Sequence, residues 1–266
     1  MPEQTKPLSQ PAAPVSADIR PLARIMQQLR DPIDGCPWDL EQDFASIAPY
    51  TVEEAYEVAD AIDRKDMDDL CGELGDLLLQ VVFHSQMASE AGHFTLQQVI
   101  EGICAKMIAR HPHVYGDQSA EQWDWEDIKK RERSDKGLSS ALDGVAQAQP
   151  ALMRAEKLQK RAARTGFDWP DAESCSDKLT EETAELAAAD SPQEQHEEAG
   201  DLLFAAVNLV RHYGVDPETA LRDANRKFER RFRAMEAEAK GEFESLSLEA
   251  QEALWQAVKR AEVKPT

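Results

Sequence analysis

Two pairs of acidic residues have a spacing that would bring their carboxylates together. Glu54 and Glu57 are one helical turn apart, and Glu73 and Asp76 repeat that spacing further along the chain. Side chains three residues apart lie on one face of a helix, so each pair projects in one direction. If the two helices pack antiparallel, the four acids converge, which is how helical bundles build carboxylate metal sites.

The second half of the chain repeats this pattern. Glu182 with Glu185, and Glu198 with Asp201, have the same spacing, and the word ELGDLLLQVVF matches EAGDLLFAAVN. Further matching elements occur in one order in both halves: Trp38-Asp39 and Asp168-Trp169, Lys106-x-x-x-Arg110 and Lys227-x-x-x-Arg231, and Trp125-x-x-x-Lys129 and Trp255-x-x-x-Lys259. A shared order with changed loop lengths indicates an internal duplication.

Acidic clusters of this kind have two interpretations. In a chain with net charge −21, a glutamate pair is usually a solvated helix face. However, Asp76 and Asp201 each stand within an apolar stripe, which points them inward, where unpaired charge is costly. Oxygen ligands without nearby cysteine or histidine favour Mg²⁺ or Mn²⁺. We therefore predict metal ligands at Glu182, Glu185, Glu198 and Asp201, and in the first copy at Glu54, Glu57, Glu73 and Asp76.

Basic and aromatic residues of the repeat leave two interpretations open. Lys227 and Arg231 are one turn apart and fit either surface ion pairs or ligands of phosphate oxygens. Trp38, Trp169 and Trp255 fit core or interface anchors as well as base stacking.

Helices are expected to position these groups, because apolar residues recur along the chain with the spacing of a helix face. Residues that favour helices also dominate the composition. Thr51 is predicted to cap a helix, with Glu54 as the capping-box partner. The predicted helices span 19–29, 51–64, 67–90, 95–110, 123–133, 151–164, 174–189, 193–213, 217–240 and 248–262. No stretch has the alternating pattern of a strand, so the predicted fold class is all-α.

The predicted organisation is two modules with a tail and a linker. Residues 1–18 form a disordered tail, 19–133 the first module, 134–150 a polar linker and 151–266 the second module. The strong negative charge argues against a nucleic-acid or membrane surface. The tail lacks the apolar core of a signal peptide, and no apolar run would span a bilayer, so we expect a cytoplasmic protein.

Several longer words of the sequence together resemble the MazG family of the all-α NTP pyrophosphatase superfamily. They are GCPWDLEQ, APYTVEEAYEV, ELGDLLLQVVFHSQMA, RHPHVY, LQKRAARTGFDWP, EEAGDLLFAAVNL and NRKFERRF. The resemblance implies two tandem MazG-like modules, with four-helix cores completed by homodimerisation. It also implies Mg²⁺-dependent hydrolysis of NTPs or dNTPs to monophosphate and pyrophosphate.

The resemblance further assigns roles to residues, mainly in the second copy. Metal is held at Glu182, Glu185, Glu198 and Asp201, and these four together with Glu181 are the predicted catalytic residues. The general-base role of Glu181 is our own prediction, made because Glu181 is next to the metal ligand Glu182. Nucleotide contacts fall on Lys178, Glu181, Glu182, Glu197, Glu198, Asp201, Lys227, Arg231, Trp255 and Lys259. The second copy is typically the active one, and the first departs from the pattern with Tyr50 at the position of Lys178.

Two alternatives remain at this point. One is an enzyme of the same superfamily with a narrower substrate, such as dUTP or phosphoribosyl-ATP. The other is a non-catalytic helical adaptor whose acidic modules bind metal only to stabilise the dimer.

Overall fold

The structure is a computed structural model that describes residues 17–115, 128 and 137–262. Within these ranges the chain forms helices, turns and loops and contains no strand, which confirms the all-α prediction. The chain divides into two compact units, Met1–Trp125 and Glu126–Thr266. No helix in the described ranges is long and apolar enough to cross a membrane.

The first unit is built around a pair of long helices. Its helices are α1 (Arg20–Leu29), α2 (Pro37–Glu41), α3 (Phe44–Arg64), α4 (Met67–Glu90), α5 (Leu96–Arg110) and α6 (Pro112–Tyr115). Helices α3 and α4 form the main packed pair, and α1 and α5 pack on α4. The buried core consists of Met26, Ile47, Val82, Phe83 and Met87.

The second unit repeats this pair and adds a helical hairpin. Its helices are α7 (Ala151–Ala163), α8 (Ala172–Ala188), α9 (Pro192–His212), α10 (Pro217–Glu238), a 3₁₀ turn (Phe243–Ser245) and α11 (Leu248–Glu262). Helices α8 and α9 form the main pair, α7 packs on α9 and α10, and α10 pairs with α11. Helix α9 begins with a capping box between Ser191 and Glu194.

The predicted start of α3 was wrong. The helix begins at Phe44 rather than after Thr51, because Asp43 accepts a hydrogen bond from the Ser46 amide (2.8 Å) and the Ser46 hydroxyl accepts one from the Asp43 amide (2.9 Å). Pro49 lies inside the helix, where proline costs about 3 kcal/mol. Burial of Ile47 in the core, with 2% of its surface exposed, anchors this segment and offsets that cost.

Other expectations differ from the structure in detail. Two short helices lie outside the predicted ranges: α2, which begins at Pro37 between the predicted helices 19–29 and 51–64, and α6, which begins at Pro112 after the predicted helix 95–110. The predicted helix 123–133, with the pair Trp125 and Lys129, lies outside the described residues apart from the helical residue 128. Residues 137–150 of the predicted linker form turns, and Arg161 donates to the carbonyl of Asp143 (2.6 Å).

Candidate functional site

Three carboxylates converge between the paired helices of each unit. In the second unit Glu182 and Glu185 of α8 and Glu198 of α9 each offer an oxygen, and these atoms all lie within 4.8 Å of one another. In the first unit Glu54 and Glu57 of α3 and Glu73 of α4 do the same. Short connections make each helix pair antiparallel, so the two acidic spacings meet across the pair.

The fourth acid of each set, Asp76 or Asp201, lies beside these triads rather than within them. Partial burial raises the pKa of Glu198, and the charges of Glu185, Glu182 and Asp201 raise it further. In the same way burial, then Glu57 and Asp76, raise the pKa of Glu54. Mutual repulsion of this kind is relieved by a divalent cation, and an all-oxygen donor set suits Mg²⁺ or Mn²⁺.

Lys178 partly neutralises the acids of the second unit. Its Nζ lies 2.7 Å from an oxygen of Glu182 and 2.9 Å from one of Glu181, and these hydrogen bonds raise the pKa of Lys178. Glu182 is buried, with 5% of its surface exposed. The matching residue of the first unit is Tyr50, whose ring meets Trp38 edge-on at 6.5 Å, so the first unit has no cation at this position.

A cavity of about 280 Å³ opens beside the acids of the second unit. Its lining includes Lys178, Glu182, Asp201, Trp169, Phe204 and Asn208. The cavity therefore combines charged groups suited to phosphate and metal with aromatic rings suited to a flat ligand. Trp169 lies in the wall of this cavity and not in a core.

A polar cluster behind the cavity was missed by the sequence analysis. Arg211 pairs with Asp168, and its Nε donates to Oδ1 of Asn208 at 3.0 Å. A comparison of the two duplicated helices could have found this cluster. Helix α9 has the polar residue Asn208 at the position where α4 has the core residue Phe83.

The remaining predicted nucleotide contacts lie elsewhere in the protomer. Lys227, Arg231, Trp255 and Lys259 stand on α10 and α11, and none of them belongs to the described lining of the cavity. The Arg231 guanidinium lies 2.8 Å from Glu262 and 5.5 Å from the centre of a Trp255 ring. Hydrogen bonds from Arg231 and Arg230 lower the pKa of Glu262.

The two exposed acids of the predicted nucleotide site occupy different settings. Glu181 is held by Lys178 at the edge of the triad. Glu197 of α9 accepts a hydrogen bond from Gln193 at 2.7 Å.

Two family models match the chain, one in each unit. The model described as the MazG nucleotide pyrophosphohydrolase domain matches residues 42–115. The model described as phosphoribosyl-ATP pyrophosphohydrolase matches residues 148–228. The matched segments contain the acidic triads of α3–α4 and of α8–α9, respectively.

Similar proteins span almost the whole chain. A protein of Escherichia coli (strain K12) named nucleoside triphosphate pyrophosphohydrolase is 52% identical over 255 residues, which cover 91% of this chain and 97% of that protein. A protein of Thermotoga maritima named nucleoside triphosphate pyrophosphohydrolase/pyrophosphatase MazG is 49% identical over 216 residues, covering 81% of this chain and 84% of that protein.

Proposed function

The chain belongs to the MazG family of nucleoside triphosphate pyrophosphohydrolases, and on this basis we propose that it hydrolyses NTPs and dNTPs to the monophosphate and pyrophosphate with Mg²⁺. This membership confirms the resemblance seen in the sequence. The observation that carries the proposal is the second unit's triad, which adjoins both Lys178 and an open cavity. We assign catalysis to the second module, 151–266, joined by linker 134–150 to the first module, 19–133.

The proposed metal ligands are the acids of the two helix pairs. In the second unit Mg²⁺, or Mn²⁺ as a substitute, would be held by Glu182, Glu185, Glu198 and Asp201. The close approach of three of these carboxylates and the raised pKa of Glu198 support this assignment. Mg²⁺ held by these acids would supply positive charge to neutralise the phosphates and would activate a water for attack. Glu54, Glu57, Glu73 and Asp76 would hold a cation in the first unit.

The chain's own residues then have distinct tasks at the substrate. Lys178 now neutralises Glu182, and with a cation held by Glu182 it would be available to bind a phosphate oxygen. Glu181 is exposed at the edge of the triad and would accept a proton from the attacking water. Glu197 of α9 is also exposed, and we propose that it contacts the nucleotide.

We further propose that the α10–α11 hairpin supplies additional contacts to the nucleotide. The guanidinium of Arg231 stacked against the Trp255 ring offers a phosphate ligand beside an aromatic surface, and Lys227 and Lys259 lie on the same two helices. These groups lie outside the described cavity lining of one protomer, so substrate binding or assembly must bring them to it.

Homodimerisation is part of the proposal. Leu74 and Leu78 of α4 are 50% and 42% exposed, and Leu203 and Phe204 of α9 are 59% and 43% exposed. Such apolar patches on two-helix pairs favour a second copy that completes a four-helix core. The net charge of −21 disfavours nucleic acid and anionic membranes as partners, and we expect a cytoplasmic enzyme.

Product analysis tests the reaction class. Purified protein is incubated with each NTP and dNTP, with Mg²⁺ and with chelator, and nucleotides and pyrophosphate are quantified. We expect monophosphate plus pyrophosphate only with Mg²⁺. Diphosphate plus phosphate would show that another bond is cleaved.

A narrower substrate is the second candidate function, because the model that matches residues 148–228 is described as phosphoribosyl-ATP pyrophosphohydrolase. Side-by-side assays with phosphoribosyl-ATP and dUTP distinguish the two. The adaptor alternative predicts that Mg²⁺ raises the melting temperature while no nucleotide yields pyrophosphate.

A further inference from the structure

Asn208 lies in the wall of the second unit's cavity, two helical turns along α9 from Asp201. Its side chain is buried, with 4% of the residue exposed, yet it belongs to the cavity lining. Two turns of helix span roughly 10 Å, so the cavity extends from the acids to this amide. The rings of Trp169 and Phe204 lie in the same lining.

The orientation of the Asn208 amide is determined by its neighbours. A guanidinium carries only donors, so the atom that meets Arg211 Nε at 3.0 Å must be the amide oxygen. Arg211 is itself held by Asp168 from the segment before α8. In the described part of the chain, Nδ2 of Asn208 has no hydrogen-bond partner. Its N–H groups are therefore available to a ligand in the cavity.

The side chains that line the cavity determine which chemical class of ligand fits it. Aromatic side chains favour a flat ring, and the Nδ2 donor in the cavity wall favours a ligand with an acceptor opposite it. The acids and Lys178 at the other end suit a phosphate chain with its cation.

We propose that Asn208 determines base specificity by donating from Nδ2 to an exocyclic carbonyl oxygen of the nucleobase. The second unit then favours bases with a carbonyl at pyrimidine C4 or purine C6 over those with an amino group there. An amino group would place N–H against N–H and leave donors of both partners unpaired. This inference rests on the proposed function and names the substrate class for the same site.

The direct test is Asn208→Asp, which keeps an oxygen for Arg211 and replaces the donor with an acceptor. We compare kcat/KM for dUTP with dCTP, and for ITP with ATP. The wild type should favour the carbonyl bases by about tenfold, and the variant should reverse the preference by a similar factor. Equal kcat/KM values in the wild type, or a ratio that Asn208→Asp leaves unchanged, would overturn the inference.

Two further variants separate specificity from general damage. Asp168→Asn loosens Arg211 and should move the dUTP-to-dCTP ratio toward one, which a merely structural defect would not do. Gln86→Ala removes the residue of α4 that matches Arg211 and should leave the ratio unchanged. If Asn208→Asp lacks the helical circular dichroism of the wild type, Asn208→Ala takes its place, with an expected ratio near one.

Binding without turnover distinguishes failure of this inference from failure of the proposed function. The probes are dUMP and dCMP, titrated in chelator and followed by tryptophan fluorescence, with Trp169→Phe to identify the reporting ring. Tighter binding of dUMP that Asn208→Asp reverses would support the inference even if no triphosphate were hydrolysed. Pyrophosphate release with indifferent binding of both monophosphates would leave the function intact and overturn the inference.

Discussion

The two units carry equivalent acids on equivalent helix pairs but differ in the space next to them. In the first unit the matching positions carry buried side chains, two of them in the core, and in the second they line a cavity whose wall combines charged and aromatic residues. The matching positions are Ile47 and Cys175, Gln80 and Ala205, and Phe83 and Asn208. In particular, Gln80 is 8% exposed and its Nε2 lies 3.5 Å from Glu54, where the second unit has only the methyl group of Ala205.

The units also differ in the charge that faces the acids. Lys178 binds two glutamates in the second unit, whereas the first unit has the aromatic Tyr50. A cluster of carboxylates thus suits a cation but is not sufficient for a nucleotide. A nucleotide site also needs a cation-bearing side chain for phosphate and a cavity for the rest of the molecule.

Removing one acid from each unit is the strongest way to break this comparison. Glu182→Ala should lower pyrophosphate release by about 10³-fold or more, because it removes both a proposed metal ligand and the partner of Lys178. The matched Glu54→Ala should change release by less than about threefold. Circular dichroism should show unchanged helicity in both. Equal losses would show that both units catalyse, and near-wild-type activity of Glu182→Ala would refute the metal assignment.

Truncation at the position shared by Phe83 and Asn208 should affect stability unequally. Phe83→Ala removes a core ring that is 4% exposed and should lower the free energy of unfolding by about 3–4 kcal/mol. Asn208→Ala should cost about 1 kcal/mol, because Arg211 keeps its pairing with Asp168. Urea denaturation measures both. Similar losses would mean that the second unit's cavity wall is as tightly packed as the first unit's core.

Exchanging one residue between the units tests the importance of the cavity. Ala205→Gln introduces the side chain that fills this space in the first unit and should raise KM about tenfold with the melting temperature nearly unchanged. The reciprocal Gln80→Ala serves as the control and should leave kcat/KM as in the wild type. A wild-type KM in Ala205→Gln would place the nucleotide outside this cavity.

The acidic triads should also make the stability of the fold depend on pH and on Mg²⁺. Of the effects predicted here, we expect this one to be the smallest. Folding raises the pKa of Glu54, Glu73 and Glu198 above the ordinary 4.5, so the folded state binds protons more tightly than the unfolded state. In chelator, this contribution to stability is present below pH 4.5 and is lost as pH rises through the raised pKa values. Mg²⁺ relieves the repulsion and should raise the melting temperature by about 3 °C at pH 8.

The rise in melting temperature on adding Mg²⁺ should be smaller at pH 5, because protons compete with the cation for the carboxylates. Differential scanning fluorimetry measures both values. The double variant Glu57→Ala/Glu185→Ala is the control and should show little response to Mg²⁺. A melting temperature that Mg²⁺ does not change at pH 8 in the wild type would contradict cation binding at either triad.

Much of the fold could be predicted because helices depend on local periodicity. Helix α4 spans Met67–Glu90, as predicted, and the two triads assemble from the acids whose spacing indicated it. The start of α3 could not be predicted in this way. Its N-terminal turns continue through Pro49 because Ile47 is buried against residues of α1 and α4, and such contacts between distant segments have no local signature.

The sequence by itself therefore determined most of the long helices and the faces on which the acids stand, because these follow from residue spacing along one helix. It also determined the duplication, because matching elements occur in the same order in both halves. Only the tertiary structure decided that Glu182 is buried beside Lys178, and that Asp168 reaches Arg211 across 43 residues to orient Asn208. It also decided that Cys175, Ala205 and Asn208 line a cavity. The physical reason is that the burial of a side chain and the volume of a cavity depend on how side chains from several segments pack together. No single segment of the sequence specifies that packing.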